Sequence, residues 1–270
     1  MRVVTWNLWW RHGPWQERRK AIAATLAELA PDVCGLQEVW GSTEGGDHLA
    51  AELAHHLGMH WCWAPLPISP HRRAAHGEDM AIGNAVLSRW PIAAQAELPL
   101  PVADGEQPRV LLHARIDTPD GALPFFTTHL THRPDASGER VAQVRAVAGF
   151  VADHLDDRAF PPVVTGDLNA APESDEVRLI EGALTAPAAP GLVLVDAWRY
   201  ADGNEPGITW DRANPHVGEL GLIDGRIDYI LVGLPRGGRG RVRSVIRAGT
   251  RPVDGVVPSD HYAVVADLSD

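Results

Sequence analysis

The chain holds a single lysine, Lys20, among its 24 basic residues. Lysine-based chemistry therefore has one candidate. Lys20 follows Arg18-Arg19 on an expected helix with no glycine-rich loop before it, so a P-loop is excluded. Two cysteines, Cys34 and Cys62, are too few for a disulfide framework or a zinc site; they are buried thiols or one bonded pair. The zinc-protease arrangement of two histidines one helical turn apart with a glutamate beside them is missing, and His55-His56 are adjacent. No apolar run approaches the ~20 residues of a membrane span. Met1-Arg2-Val3-Val4-Thr5-Trp6 lacks the regions of a signal peptide, which makes the cytoplasm the expected location. No partner protein is indicated. Positive charge is short as well. A formal net charge of −11 disfavours tight non-specific nucleic-acid binding, although a local arginine groove would escape that argument.

What is present is a regular traffic of short apolar runs. Strands are expected at Val3–Trp6, Val33–Gln37, Met59–Ala64, Ala81–Ser88, Ile92–Leu98, Val110–Asp117, Leu123–Thr128, Pro162–Thr165, Arg226–Val232, Val242–Ala248 and His261–Leu268. Helices are expected at Pro14–Ala30, Asp47–Leu57 and Ala136–Leu155. Met59 to Thr128 is a run of strands without helices, which a doubly wound parallel sheet does not allow. The pattern predicts an α/β protein: a four-layer α/β/β/α sandwich of two mostly antiparallel sheets, built as one domain over residues 1–270.

Polar clusters sit at the ends of these strands. Gly166-Asp167-Leu168-Asn169 follows Val163-Val164-Thr165, and the spacing of two lets Asp167 and Asn169 face one ligand; the alternative is an Asx-turn. Gln37-Glu38 ends a buried strand, where Glu38 suits Mg²⁺ or Mn²⁺ or is a solvated loop carboxylate. Asn7 can donate to a phosphate oxygen or support a metal. Trp9, Trp10 and Trp15 are packing or an apolar rim. His129 follows Phe125-Phe126, with Asp228 as its candidate partner. Arg226 suits a phosphate, or pairs with Asp224 or Asp228. Within Ser259-Asp260-His261, His261 is a base or a phosphate ligand, and Asp260 steers it or approaches the metal. Pro65–Asp79 is a substrate loop or a solvated one, and His132 is read as surface.

The ordered series Asn7, Glu38, Gly83-Asn84-Ala85-Val86-Leu87-Ser88, His129, Gly166-Asp167-Leu168-Asn169, Asp228 and Ser259-Asp260-His261 resembles the endonuclease/exonuclease/phosphatase superfamily, the deoxyribonuclease I-like metal-dependent phosphoesterases. The resemblance implies a divalent cation, usually Mg²⁺, and hydrolysis of a P–O bond. By position it implies a metal held by Glu38 with Asn7 and Asp260. It implies catalytic roles for His129, Asp167, Asn169, Asp228, Asp260 and His261. Phosphate contacts would come from Asn7, Asn169, His129 and His261, with Arg226 added from its own chemistry. Trp40 stands where the repair nucleases carry lysine, and no basic DNA-binding insertion is visible. The expected enzyme is thus a phosphodiesterase or phosphatase on a small or lipid-derived ester. A DNA or RNA nuclease of the same superfamily is the second expectation, and a non-catalytic binding protein the third.

Overall fold

In the computed structural model, residues 1–156, 159–203, 205, 207–218 and 224–270 are described. Among these residues, twelve strands form two six-stranded sheets. The first sheet has the order β11-β12-β1-β2-β4-β3, from β1 (Arg2–Asn7), β2 (Val33–Ser42), β3 (His60–Pro67), β4 (Met80–Ser88), β11 (Val242–Ala248) and β12 (Ala263–Leu268). The second has the order β5-β6-β7-β8-β10-β9, from β5 (Ile92–Leu100), β6 (Arg109–Thr118), β7 (Gly121–His129), β8 (Val163–Asp167), β9 (Leu194–Asp196) and β10 (Asp228–Gly233). Helices α1 (Trp15–Leu29) and α2 (Leu49–Leu57) cover the first sheet. Helices α4 (Ser137–Asp153) and α5 (Asp175–Glu181) cover the second. The expected four-layer sandwich is present.

Side-chain alternation builds the layers. On β1, Val3 enters the core between the sheets, while Val4 and Trp6 pack under α1 and α2. On β10, Ile230 and Val232 face the other sheet, and Tyr229 and Leu231 face the helices. Both faces of these strands are buried, which is why the sequence shows continuous apolar runs instead of alternation. Among the described residues, no helix is long and apolar enough to cross a membrane. Cys34 and Cys62 are both buried and free, which settles the open choice against a bond.

Each sheet contains one parallel pair, β1 with β2 and β7 with β8; the other pairs are antiparallel. Helix α1 makes the crossover between the first pair, and α4 between the second. The sheets approach closely where these pairs face one another. A Cβ on Gly35 would lie 2.0 Å from Thr165 Oγ1, so only glycine fits. Just above it, Gln37 Nε2 donates to Thr127 Oγ1 across the gap (2.8 Å) and to Thr5 Oγ1 (3.2 Å). This polar tie joins the two sheets directly beneath the strand ends that carry the site.

The outer layer of the second sheet contains a buried histidine. His113 on β6 stacks on Phe126 (centroids 4.6 Å apart), and its Nε2 has no partner among the described residues. Burial, then the nearby His154 ring, pushes its pKa down to about 4. A histidine depressed on folding gives its full stability above its unfolded value near 6.5 and loses it as pH falls toward 4. At ~1.4 kcal/mol per pH unit, His113 should cost about 2 kcal/mol between pH 7 and pH 5. The variant His113→Phe should keep the stack and lose that pH dependence. Urea midpoints at the two pH values measure it; an unchanged acid loss in the variant refutes the assignment.

Candidate active site

Three neighbouring strands of the second sheet present His129, Asp167 and Asp228 in one row. His129 is paired with Asp167 across β7 and β8, and Asp228 with Asp167 across β10 and β8. Gly166 permits this row, because a Cβ there would lie 2.3 Å from the carbonyl oxygen of Thr128. The first sheet supplies Asn7 from the end of β1 and Glu38 from β2. The register of β2 shifts between Leu36 and Val39, and Glu38 has a left-handed backbone (φ 52°). A bulge of this kind re-aims one side chain without ending the strand. That is why β2 continues to Ser42, past the expected end at Gln37.

The rows meet across the gap. Asn7 Nδ2 donates to Asp167 Oδ2 (3.1 Å) and lies 3.5 Å from Glu38 Oε1. His129 Nε2 is 3.4 Å from Asp167 Oδ2, and its Nδ1 is 3.9 Å from Glu38 Oε1. Asp228 pairs with His261, at 2.9 Å from its Nδ1, and not with His129 as the sequence suggests. The physical reason is strand order. β10 delivers Asp228 on the far side of Asp167 from His129, where His261 arrives from the first sheet. His261 Nε2 is left 3.7 Å from Asp167 Oδ2. The chain bends at Asp260, Ser259 Oγ donates to the Asn7 carbonyl (2.7 Å), and the strand expected from His261 begins only at Ala263.

Electrostatics follow from burial. Asp167 is 1% exposed, and burial, with Asp228 beside it, raises its pKa to about 7. Burial likewise pushes half-buried Asp260 up to about 7, against the pull of His261. Burial opposes charge on His261, but Asp228, Asp260 and Asp167 outweigh it and hold its pKa well above the usual value. His129 goes the other way: burial, then the charges of Arg109 and His261, hold it neutral. One imidazole is therefore a cation fixed by carboxylates, and the other is neutral.

Asn169 turns away from the row. Its backbone is left-handed (φ 48°), its N–H donates to Asp167 Oδ1 (2.9 Å), and its Nδ2 donates to the Leu130 carbonyl (3.1 Å). Both roles weighed from the sequence are compatible with this, since the Asx-type bond holds Asp167 while the Asn169 amide oxygen stays uncommitted. Arg226 is not free to bind a phosphate. Its guanidinium contacts Asp196 (2.7 Å) and stacks on Tyr229, so its fork is already occupied by a carboxylate other than Asp224 or Asp228. Pro65–Asp79 is no open loop either: it ends β3 and forms α3 (Pro70–His76), whose Arg72 and His76 lie on Trp10. Trp10 is buried, Trp15 packs edge-on against Trp40, and half-buried Trp9 sits between His12 and His216.

The profile of the Endonuclease/Exonuclease/phosphatase family matches residues 4–261, from β1 to His261 itself. The chain belongs to this family. Members of the endonuclease/exonuclease/phosphatase family are divalent-metal-dependent phosphoesterases. A search of curated proteins gives no match. Solved structures give many. The endonuclease/exonuclease/phosphatase from Beutenbergia cavernae is 26% identical, with a TM-score of 0.71 over 99% of this chain and 71% of that one. TDP2 from D. rerio, solved with a single-strand DNA product, is 19% identical, with a TM-score of 0.75 over 100% and 99%. A mannosyl-6-phosphatase from Bacteroides thetaiotaomicron is 18% identical, with a TM-score of 0.70 over 100% of both chains. The last two likenesses show the fold alone.

The donors fit the cation that this family uses. Asp167, Asp228 and His261 bring ligand atoms within 4.8 Å of one another, but their mutual bond takes up His261 Nδ1 and Asp228 Oδ2. Glu38 offers a freer carboxylate: it keeps 20% of its side chain exposed, which suits a hard ion that retains water. Of two buried arginines beside the site, Arg18 escaped sequence reading, and Arg109 was expected only as part of a local arginine groove for nucleic acid. Arg18 and Arg109 are buried at 1% and 5% exposure, and each sits in a segment that reads as ordinary helix or strand. The signal available was only that a core position held arginine.

Proposed function

We propose that this protein is a divalent-metal-dependent hydrolase of phosphate esters, working on a small or lipid-derived substrate through one catalytic domain over residues 1–270. The observation that carries the reading is the convergence of Asn7, Glu38, His129, Asp167, Asp228 and His261 from two sheets onto one buried polar centre. In this reading Glu38, with Asn7 and Asp260 beside it, holds Mg²⁺ or Mn²⁺. When bound, the ion would supply positive charge to balance what grows on the phosphate oxygens.

Asp167 orients the attacking water and accepts its proton, for which a pKa of about 7 is well matched to neutral pH. Asn7 and Asn169 fix that carboxylate from both sides. His261, kept cationic by Asp228, faces the phosphate and stabilises its charge. Neutral His129 donates a hydrogen bond to a phosphate oxygen or to the leaving group. Arg226 takes no part.

A metal-dependent hydrolysis panel tests the reading: p-nitrophenyl phosphate, bis(p-nitrophenyl) phosphate, sphingomyelin, plasmid DNA and single-stranded RNA, with Asp167→Ala as the blank. Turnover of the small or lipid esters alone supports it. Nicking of plasmid or loss of RNA at low enzyme concentration, falling with added salt, would replace it with a nuclease. The ion is tested without turnover. Mg²⁺ at a hundredfold excess over Kd should stabilise the fold by about 2.7 kcal/mol, and Glu38→Gln should lose most of that shift. An equal thermal shift in wild type and variant would remove Glu38 from the metal site.

A further inference from the structure

We propose that Arg109, at the start of β6, is a subsite for a terminal phosphate group, and that the enzyme therefore prefers phosphomonoesters to phosphodiesters. The inference rests on the phosphoesterase reading above and narrows its substrate class.

Among the described residues Arg18, Arg109 and Arg140 are buried and Arg226 is mostly so, and three of these four are satisfied within the protein. Arg18 donates to five backbone carbonyls, Arg140 pairs with Glu176 (3.0 Å), and Arg226 pairs with Asp196 (2.7 Å). Arg109 is the exception. At 5% exposure it forms no ion pair among the described residues, and its Nε is buried without a partner. Among the described residues its one side-chain hydrogen bond runs from Nη2 to His132 Nδ1 (3.2 Å). Leaving a guanidinium desolvated and unpaired is costly, because its donors have given up water for nothing. Such an arrangement persists where an anion completes it.

The place of Arg109 identifies that anion. It lines a cleft with Glu38, Asn84, Gln107 and His129, so its guanidinium, which feels the Glu38 and Asp167 charges through space without an ion pair to either among the described residues, faces the reaction centre. His132 does not supply a negative charge. Desolvation, then Arg109 itself, lowers its pKa and keeps the ring neutral as an acceptor.

The number of oxygens then decides the substrate class. A phosphomonoester dianion has three non-bridging oxygens, and a diester has two. Asn7, His129 and His261 address the phosphate from the Asp167 side. The guanidinium fork on the Arg109 side matches the remaining oxygens of a monoester as a charge-assisted pair. In a diester one of those positions carries an ester group. That group would be pressed against a buried cation with no acceptor to offer, which discriminates against it.

The test compares wild type, Arg109→Gln and Arg109→Lys with three readouts. The first is kcat/KM on p-nitrophenyl phosphate and bis(p-nitrophenyl) phosphate. The second is binding of inorganic phosphate by calorimetry, and the third is the melting temperature. Arg109→Gln should lose at least about tenfold more on the monoester than on the diester, roughly the worth of one charge-assisted bond. It should weaken phosphate binding by a similar factor and should not melt lower. Arg109→Lys should recover part of the phosphate binding as a point charge. Equal losses on both esters, unchanged phosphate affinity, or a marked fall in melting temperature would each overturn the proposal. Wild type inert toward both esters with metal present would sink the phosphoesterase reading. Phosphate binding lost in Arg109→Gln alone would even then uphold the anion subsite.

Discussion

Asp167→Asn should lower kcat by about 10³-fold or more and, at the same time, raise the melting temperature of the metal-free protein. The first effect follows from chemistry. The amide is isosteric, but it cannot accept a proton, and its NH₂ would face the Asn7 amide that now donates to Asp167 Oδ2. The second follows from charge. Asp167 lies between Asp228 and Asn7 at 1% exposure, with a pKa raised to about 7. A carboxyl raised on folding gives its stability below its unfolded value near 3.8 and loses it as pH climbs through 7. At pH 8 the ionised group therefore opposes folding, by at most about 4 kcal/mol with the opposing pull of the His261 cation already included. Asparagine removes that opposition and loses one hydrogen bond, for a net gain of about 1–2 kcal/mol. The gain should shrink toward zero near pH 4, where both side chains are neutral. Calorimetric melting at pH 4 and pH 8, beside single-turnover rates, measures both effects. A variant that melts lower at pH 8 would mean that Asp167 is chiefly structural. This is the stability–activity trade-off expected of a functional carboxylate.

How much of this was legible beforehand depends on what sets each feature. Strands such as Val163–Asp167 and Ala263–Leu268 read plainly, because burial on both faces leaves unbroken apolar runs. Strand β9 did not, since three residues after a segment rich in Ala, Pro and Gly carry no periodicity. Helices α3 and α5, at seven residues each, are also too short to show a stripe, although Ser69 and Ser174 cap them. The site residues were legible as polar groups at strand ends. Their partners were not. Asp228 joins His261 because β10 lies beside β8 and faces the end of β12, an inter-sheet register that no local pattern encodes. The aim of Glu38 depends on a bulge, and the orphaning of Arg109 on which neighbours fail to reach it.

Arg18→Met should destabilise the fold by about 3–5 kcal/mol, among the largest effects of any single substitution here. Arg18 projects from α1 at 1% exposure, and burial lowers its pKa to about 10, so it remains charged at neutral pH. Its guanidinium donates to the carbonyls of Leu8, Trp9, Trp10 and His12 in the loop after β1, and to Pro258 before the Asp260-His261 turn. That loop needs holding, since Trp9 (φ 54°) and Trp10 (φ 36°) are consecutive left-handed residues without glycine. Methionine fills the volume but leaves several carbonyls without a donor. Lysine has three donors on one atom and no planar fork, so Arg18→Lys should lose roughly half as much. The consequence reaches the site. The Trp9 N–H donates to Asn7 Oδ1 (2.9 Å), and that bond points the Asn7 amide nitrogen at Asp167 and Glu38. A loosened loop lets the amide rotate, and the Pro258 side releases Asp260 and His261 together. Turnover should therefore fall about 10–100-fold in Arg18→Lys at temperatures where it is fully folded. Urea midpoints and kcat on the folded variants check both effects. Midpoints within about 1 kcal/mol of wild type for the two variants would show that the loop keeps its shape without the arginine. Full turnover in a destabilised Arg18→Lys would separate the fold from the site, and Asn7 would then owe its orientation to Asp167 and Glu38 alone.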